Sequence, residues 1–187
     1  MKKFELTNEF ITNMFGTKLF RIRALVEFGD VEAGELGGYV EKESNLGHDD
    51  NAWVYDNARV YGDAQVSGDA RVYDNAWVYG DAQVCGDALV CGDARVCGDA
   101  RVCGNGDYAY AHGFGSVNRT TTFFRLKDGG VGVRCGCFYG TLAQFRDKIR
   151  ETHGETKKAQ EYLMLADLME LRFEEDENEV GNRKYVE

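Results

Sequence analysis

From Val54 to Asp107 the hydrophobic and polar positions alternate on a six-residue beat, Val–x–Gly/Asp–Asp/Asn–Ala–x. Each hexad sets Ala and Val two apart, as in Ala58-Arg59-Val60-Tyr61. A short strand there turns both inward and throws Arg and Tyr outward. The pairs between strands, such as Asp56–Asn57, Gly62–Asp63, Gly68–Asp69 and Asp74–Asn75, are turn formers. Gly and Asn tolerate left-handed backbone, and Asx side chains bond the nearby main chain. Each pair predicts a corner. A longer period lies on top: residues 54–71 and 72–89 agree at fifteen of eighteen positions. Three strands and three corners therefore make one unit, which cannot bury its apolar face alone and must stack. The pattern predicts a triangular parallel β-helix with three hexads per coil. By analogy with other solenoids, coils this short and regular suit the left-handed form.

Stacking at eighteen residues lays out three outer faces. One carries Trp53/Arg71/Leu89 beside Tyr55/Tyr73/Cys91, the next Arg59/Trp77/Arg95 beside Tyr61/Tyr79/Cys97, and the third Gln65/Gln83/Arg101 beside Ser67/Cys85/Cys103. Rungs roughly 4.8 Å apart would place Trp77 between two arginines, within reach of cation–π contact. Aromatic residues with Arg are enriched where proteins meet. Trp53, Tyr55, Arg59, Tyr61, Arg71, Tyr73, Trp77 and Tyr79 are accordingly the expected self-association surface, with the third face left wet.

Open strand edges at the two ends of such a prism would template aggregation unless covered, so residues 1–45 are expected to form cap strands and residues 46–111 the β-helix. Thr17–Val26 reads as a strand, and His48–Asp50 adds residues before the first full coil. Residues 112–173 read as a ββαα module. Thr120–Leu126 and Val131–Cys137 flank the turn Lys127-Asp128-Gly129-Gly130. Thr141 caps a helix to about Thr152, striped by Leu142, Phe145 and Ile149 and stopped by Gly154. A second helix, Thr156 to Phe173, shows Tyr162, Leu165, Leu168/Met169 and Arg172 along one face. The acidic residues 174–187 are expected to be a solvated, disordered tail.

The net charge of −10 over 187 residues argues against binding to a nucleic-acid backbone, which draws on clustered Lys and Arg. No long apolar run predicts a membrane span, and FELTNEF lacks the apolar core of a secretory signal. A cytoplasmic protein with six reduced cysteines is the expectation. Cys85, Cys91, Cys97 and Cys103 spread over three faces instead of converging, although Cys85 and Cys103 would stack. Cys135-x-Cys137 lacks a second pair at zinc spacing. No metal and no cofactor is expected.

The stretch HGFGSVNRTTTFF (112–124) is the leading site candidate. Its glycines allow close backbone approach. His112, Ser116, Asn118, Arg119, Thr120, Thr121 and Thr122 offer donors suited to phosphate or carboxylate, although no established phosphate-loop spacing is present.

The run FGDVEAGELGGYVEKESNL followed by AWVYDNARVYGDA resembles the YdcK-like hexapeptide-repeat proteins of bacteria and their phages over roughly residues 18–107. The segment from Gly115 to Gly154 is similar to a module attached to short β-helices in phage and prophage proteins. The resemblance implies a mainly β protein, a left-handed, LpxA-like parallel β-helix, for which homotrimers are common. It carries no catalytic residues.

Three functional expectations follow. The leading one is a non-catalytic phage-type binder in the cytoplasm of a bacterial host. It would act in counter-defence by sequestering a small anionic, nucleotide-like signal in clefts of a homotrimer, with Arg119 as the anion clamp. The second is an inhibitor that blocks a host protein through its acidic surface or its C-terminal module. The third is a hexapeptide-type acyltransferase, for which His112 is the one histidine placed to serve as a base.

Overall fold

The computed structural model describes residues 2–115 and 118–174. The acidic tail beyond Glu174 lies outside the described residues. Three strands open the chain, Phe4–Thr12 (β1), Lys18–Ala24 (β2) and Leu36–Val40 (β3). Two-residue strands follow at each hexad: Trp53–Val54 (β4), Arg59–Val60 (β5), Gln65–Val66 (β6), Arg71–Val72 (β7), Trp77–Val78 (β8), Gln83–Val84 (β9), Leu89–Val90 (β10), Arg95–Val96 (β11) and Arg101–Val102 (β12). Each pairs in parallel with the strand eighteen residues away, as in Arg59↔Trp77↔Arg95 and Gln65↔Gln83↔Arg101. The amide ladder runs vertically: Arg59 N donates to the Ala76 carbonyl at 2.9 Å and Tyr61 N to that of Val78 at 3.1 Å. The hexad alanines and valines stand inside, all buried. The molecule is a parallel β-solenoid.

The corners carry a refinement. Their left-handed residue is the first of each pair, glycine in Gly62, Gly68, Gly80, Gly86, Gly92 and Gly98. In the Asp–Asn corners it is therefore Asp56 (φ 50°) and Asp74 (φ 57°) that adopt this backbone, not the asparagines. Each bonds to the next coil: Asp56 Oδ2 accepts from Asp74 N at 3.4 Å, and Asp74 Oδ2 from Gly92 N at 2.9 Å. The carboxylates tie one corner to the next.

The N-terminal cap continues one face instead of lying across the end. Its strands join in the order β1-β2-β3-β5-β8-β11, antiparallel within the cap and parallel from β3 onward. β1 was not among the expected strands. Phe4 anchors it, stacked on His48 at 4.4 Å and edge-on to Trp53 at 6.2 Å. Lys3 is buried beside it and donates to the carbonyls of Asp50 (2.6 Å) and Ala52 (2.9 Å). Desolvation lowers its pKa to about 8, against the smaller opposing pull of Asp50 and Asp49. The extra residues around His48 thus seat the cap.

After the last coil come Tyr108–Phe114 (β13), Arg119–Arg125 (β14), Val131–Cys135 (β15) and Phe138–Thr141 (β16). The helices Leu142–His153 (α1) and Lys157–Phe173 (α2) follow. The expected ββαα module is therefore a four-stranded antiparallel sheet, in order β13-β14-β15-β16, with two helices. It lies between two layers. Phe124 belongs to the solenoid core, while Phe123 and Val133 pack with Phe145, Ile149 and Tyr162 of the helices. Alternation along β14 puts neighbours on opposite faces. Thr141 caps α1 reciprocally with Gln144, each side chain accepting from the other's amide, at 3.3 and 2.9 Å. In α2 the buried stripe is Ala159, Tyr162, Ala166, Met169 and Phe173. It is rotated from the expected one, because the two alanines let the helix approach closely, and Leu168 is left 54% exposed.

Candidate functional site

β13 leaves the last coil at Tyr108, whose side chain closes the top of the Ala/Val interior. Burial pushes its phenol pKa upward, reinforced by the Cys91 thiol at 3.7 Å. Side chains two apart share a strand face, so Tyr110 and His112 follow Tyr108 outward over the prism edge. The Tyr110 hydroxyl rests on the Gly92 corner, where an added Cβ would come within 2.7 Å of it. His112 Nδ1 lies 2.9 Å from Thr120 Oγ1 on β14. Thr122 Oγ1 accepts from Arg95 N at 2.9 Å and pins β14 to β11.

Beneath this overhanging hairpin is a cavity of about 330 Å³ lined by Asp93, Arg95, His112, Asn118, Arg119, Thr120 and Gly136. The coil supplies Asp93 and Arg95, the hairpin contributes the next four, and Gly136 comes from the turn between β15 and β16. Gly136 has φ +58°, and the Arg119 guanidinium occupies the space a side chain would need there. Arg95 is held from below, its guanidinium carbon 4.7 Å from the Trp77 ring centre, with Arg59 at 5.0 Å on the same ring. This is the sandwich that the eighteen-residue register implies. No salt bridge among the described residues engages Arg95 or Arg119.

Of the residues singled out from sequence, His112, Asn118, Arg119 and Thr120 come together at this cavity. Ser116 lies outside the described residues. Thr121 and Thr122 are corrected: both are buried, because both faces of β14 are covered. Thr121 Oγ1 donates to Cys135 Sγ at 3.2 Å and Thr122 is occupied by Arg95 N, so neither is offered to a ligand. Asp93, Arg95 and Gly136 were missed as site residues. The change of corner pair from Asp74–Asn75 to Gly92–Asp93 was the available signal.

On the outer faces, Trp53 is also corrected. It is fully buried under the cap, its ring 5.3 Å from Phe28, and no partner can reach it. Tyr55, Arg59, Tyr61, Arg71, Tyr73, Trp77 and Tyr79 are half-buried. Tyr55 stacks on Tyr73 at 4.4 Å and Tyr61 on Tyr79 at 5.1 Å. Burial, with the neighbouring Tyr73, pushes the Tyr55 phenol to about 12. Cys85 and Cys103 stack with Cα atoms 4.3 Å apart and their sulfur atoms in contact. Vertical register alone brings that pair together. Among the described residues no three His, Cys, Asp or Glu side chains converge on a metal-sized site, and no helix is long and apolar enough to cross a membrane.

Fold and cavity together define a capped β-solenoid with a polar, arginine-bearing cleft at its C-terminal end. Residues 64–80 and 82–98 match the family model of the YdcK beta solenoid repeat. Comparison with curated proteins finds no match.

Proposed function

We propose that this protein is a non-catalytic binder that captures a small phosphate-bearing ligand in the cavity under the β13–β14 hairpin. The observation that carries this reading is the convergence of Arg95, Arg119, His112 and Thr120 from separate elements onto one cleft. Guanidinium forks suit phosphate oxygens, and each charge-assisted bond is strong. The scaffold holds them in place: the Arg95 guanidinium lies on Trp77 while its main chain is tied to Thr122, and Arg119 is seated at the turn of Gly136. A chain of net charge −10 repels anions in general, so a cleft that gathers cations is selective by contrast.

The cavity sits at the lower end of the range for small-molecule sites, about 300–1,000 Å³. That suits a mononucleotide-sized ligand better than an acyl carrier and its acceptor together. Stoichiometric capture of a nucleotide signal by a phage-type protein in the bacterial cytoplasm is the role we assign to it. Self-association through the Tyr55/Tyr73 and Tyr61/Tyr79 faces would raise the number of sites per particle.

Isothermal titration with pyrophosphate and with cyclic and ADP-ribose-type nucleotides tests the reading. At least one should give saturable heat that Arg119→Ala weakens tenfold or more. Absence of heat across the panel, or full retention of binding in Arg119→Ala, would refute it.

A further inference from the structure

Among the described residues lining the cavity, Asp93 is the only acid. A carboxylate beside a bound phosphate is unfavourable unless it has work of its own. It is not a counter-ion for the arginines, since no salt bridge among the described residues joins it to Arg95 or Arg119. Nor does the corner require it. In the two coils below, the same register position is filled by Asn57 and Asn75. The switch to glycine at the first position of this pair is explained by Tyr110, whose hydroxyl needs the space at Gly92. Aspartate is the usual second residue of a glycine corner here, as at Asp63, Asp69, Asp81, Asp87 and Asp99, and Asp93 is set apart by its place at the cavity. Asp93 is exposed, and its carboxylate takes part in no side-chain hydrogen bond among the described residues.

An ionised carboxylate is an acceptor only. Its natural partner in a phosphate-binding cleft is a hydroxyl on the same ligand, as when an acidic side chain takes the hydroxyls of a ribose whose phosphate lies on separate donors. We infer that the ligand is a sugar phosphate, free or as part of a nucleotide, with its phosphate on Arg95 and Arg119 and a sugar hydroxyl on Asp93. Asp93 then determines specificity. Inorganic phosphate meets the arginines but also the repulsion of the carboxylate, whereas a hydroxylated ligand turns the same group into an attraction. This inference rests on the reading of the cavity as a phosphate site and adds the chemistry of the rest of the ligand.

The test is a comparison of inorganic phosphate, ribose 5-phosphate and adenosine 5′-monophosphate, titrated into the full chain and into Asp93→Asn and Asp93→Ser by calorimetry and side-chain NMR. Asparagine is already the residue at the two equivalent corners, so that variant keeps the turn chemistry. The unaltered protein should prefer ribose 5-phosphate to inorganic phosphate by about tenfold or more, the scale of one hydrogen bond to a charged group. In both variants that preference should fall to about one. A monophosphate that binds at least as tightly as ribose 5-phosphate assigns the sugar to a nucleotide, and a weaker one assigns a free sugar phosphate. If phosphate binds but the preference is missing, or survives both substitutions, Asp93 is no hydroxyl reader and the phosphate site stands without it. If none of the three ligands binds, both the inference and the underlying reading fall.

Discussion

Replacing Trp53 by alanine should unfasten the N-terminal cap while leaving the distal coils folded. Trp53 is wholly buried where the cap meets the first coil, between Phe4 and Phe28 and against the bare backbone of Gly37, where an added Cβ would come within 2.8 Å of the indole. A tryptophan buries about 150–250 Å², which at about 25 cal/mol per Å² corresponds to roughly 4–6 kcal/mol. Aromatic-to-alanine replacements in cores cost about 3–5 kcal/mol. The indole Nε1 has no hydrogen-bond partner among the described residues, so its removal returns about 1 kcal/mol. A net loss of about 3 kcal/mol is therefore expected. In a solenoid each unit touches only its neighbours, so the loss falls on one junction. Native-state hydrogen exchange reads it locally. Amides of β1 and β2 should lose about a hundredfold in protection, while those of β8 to β12 hold theirs. An even loss along the chain, or a change below about fivefold in the cap, would refute the account of how the cap is held.

Gly92→Ala should lift the hairpin from the coil, because alanine there meets both the Tyr110 hydroxyl and a left-handed backbone (φ +67°). A cost of about 1–3 kcal/mol in denaturant unfolding is expected, together with weaker ligand binding, and unchanged stability would count against the docking described. Lys3 gives a pH dependence. Its folded pKa of about 8 lies below the ordinary 10.5, so between those values the unfolded chain binds more protons and stability rises with pH. The cost of burying the charge is fully present below about pH 8 and is relieved as pH climbs toward 10.5. Urea unfolding across this window should show the rise in the native chain and a smaller one in Lys3→Met.

The coils were legible because a solenoid interior leaves few solutions. Ala and Val two apart with a turn pair between them specify strand, corner and register at once, and the eighteen-residue period then set Trp77 between Arg59 and Arg95. What covers the ends was far less legible. A repeat reports how a coil meets its neighbour, and Trp53, at the same register as Arg71 and Leu89, gives no sign that a cap lies over it. The terminal strands also lack clean alternation. β14 is covered on both faces, so Thr121 and Thr122 lie inside although their types suggest a polar surface. β13 was hidden because its alternation breaks at Gly113 and Gly115. His112, Asn118, Arg119 and Thr120 were found because donors clustered in sequence. Asp93 and Arg95 were not, because in a periodic chain they pass for ordinary corner and face residues.

Side-chain NMR of the arginine guanidinium groups, recorded while a sugar phosphate or nucleotide is added, tests the central claim most directly. Arg59, which shares the Trp77 ring with Arg95 but does not line the cavity, serves as the control within the same molecule. Saturable shifts at Arg95 and Arg119 with Arg59 unmoved are the predicted result. Unmoved signals at Arg95 and Arg119, or equal and unsaturable drift of all three, would contradict it.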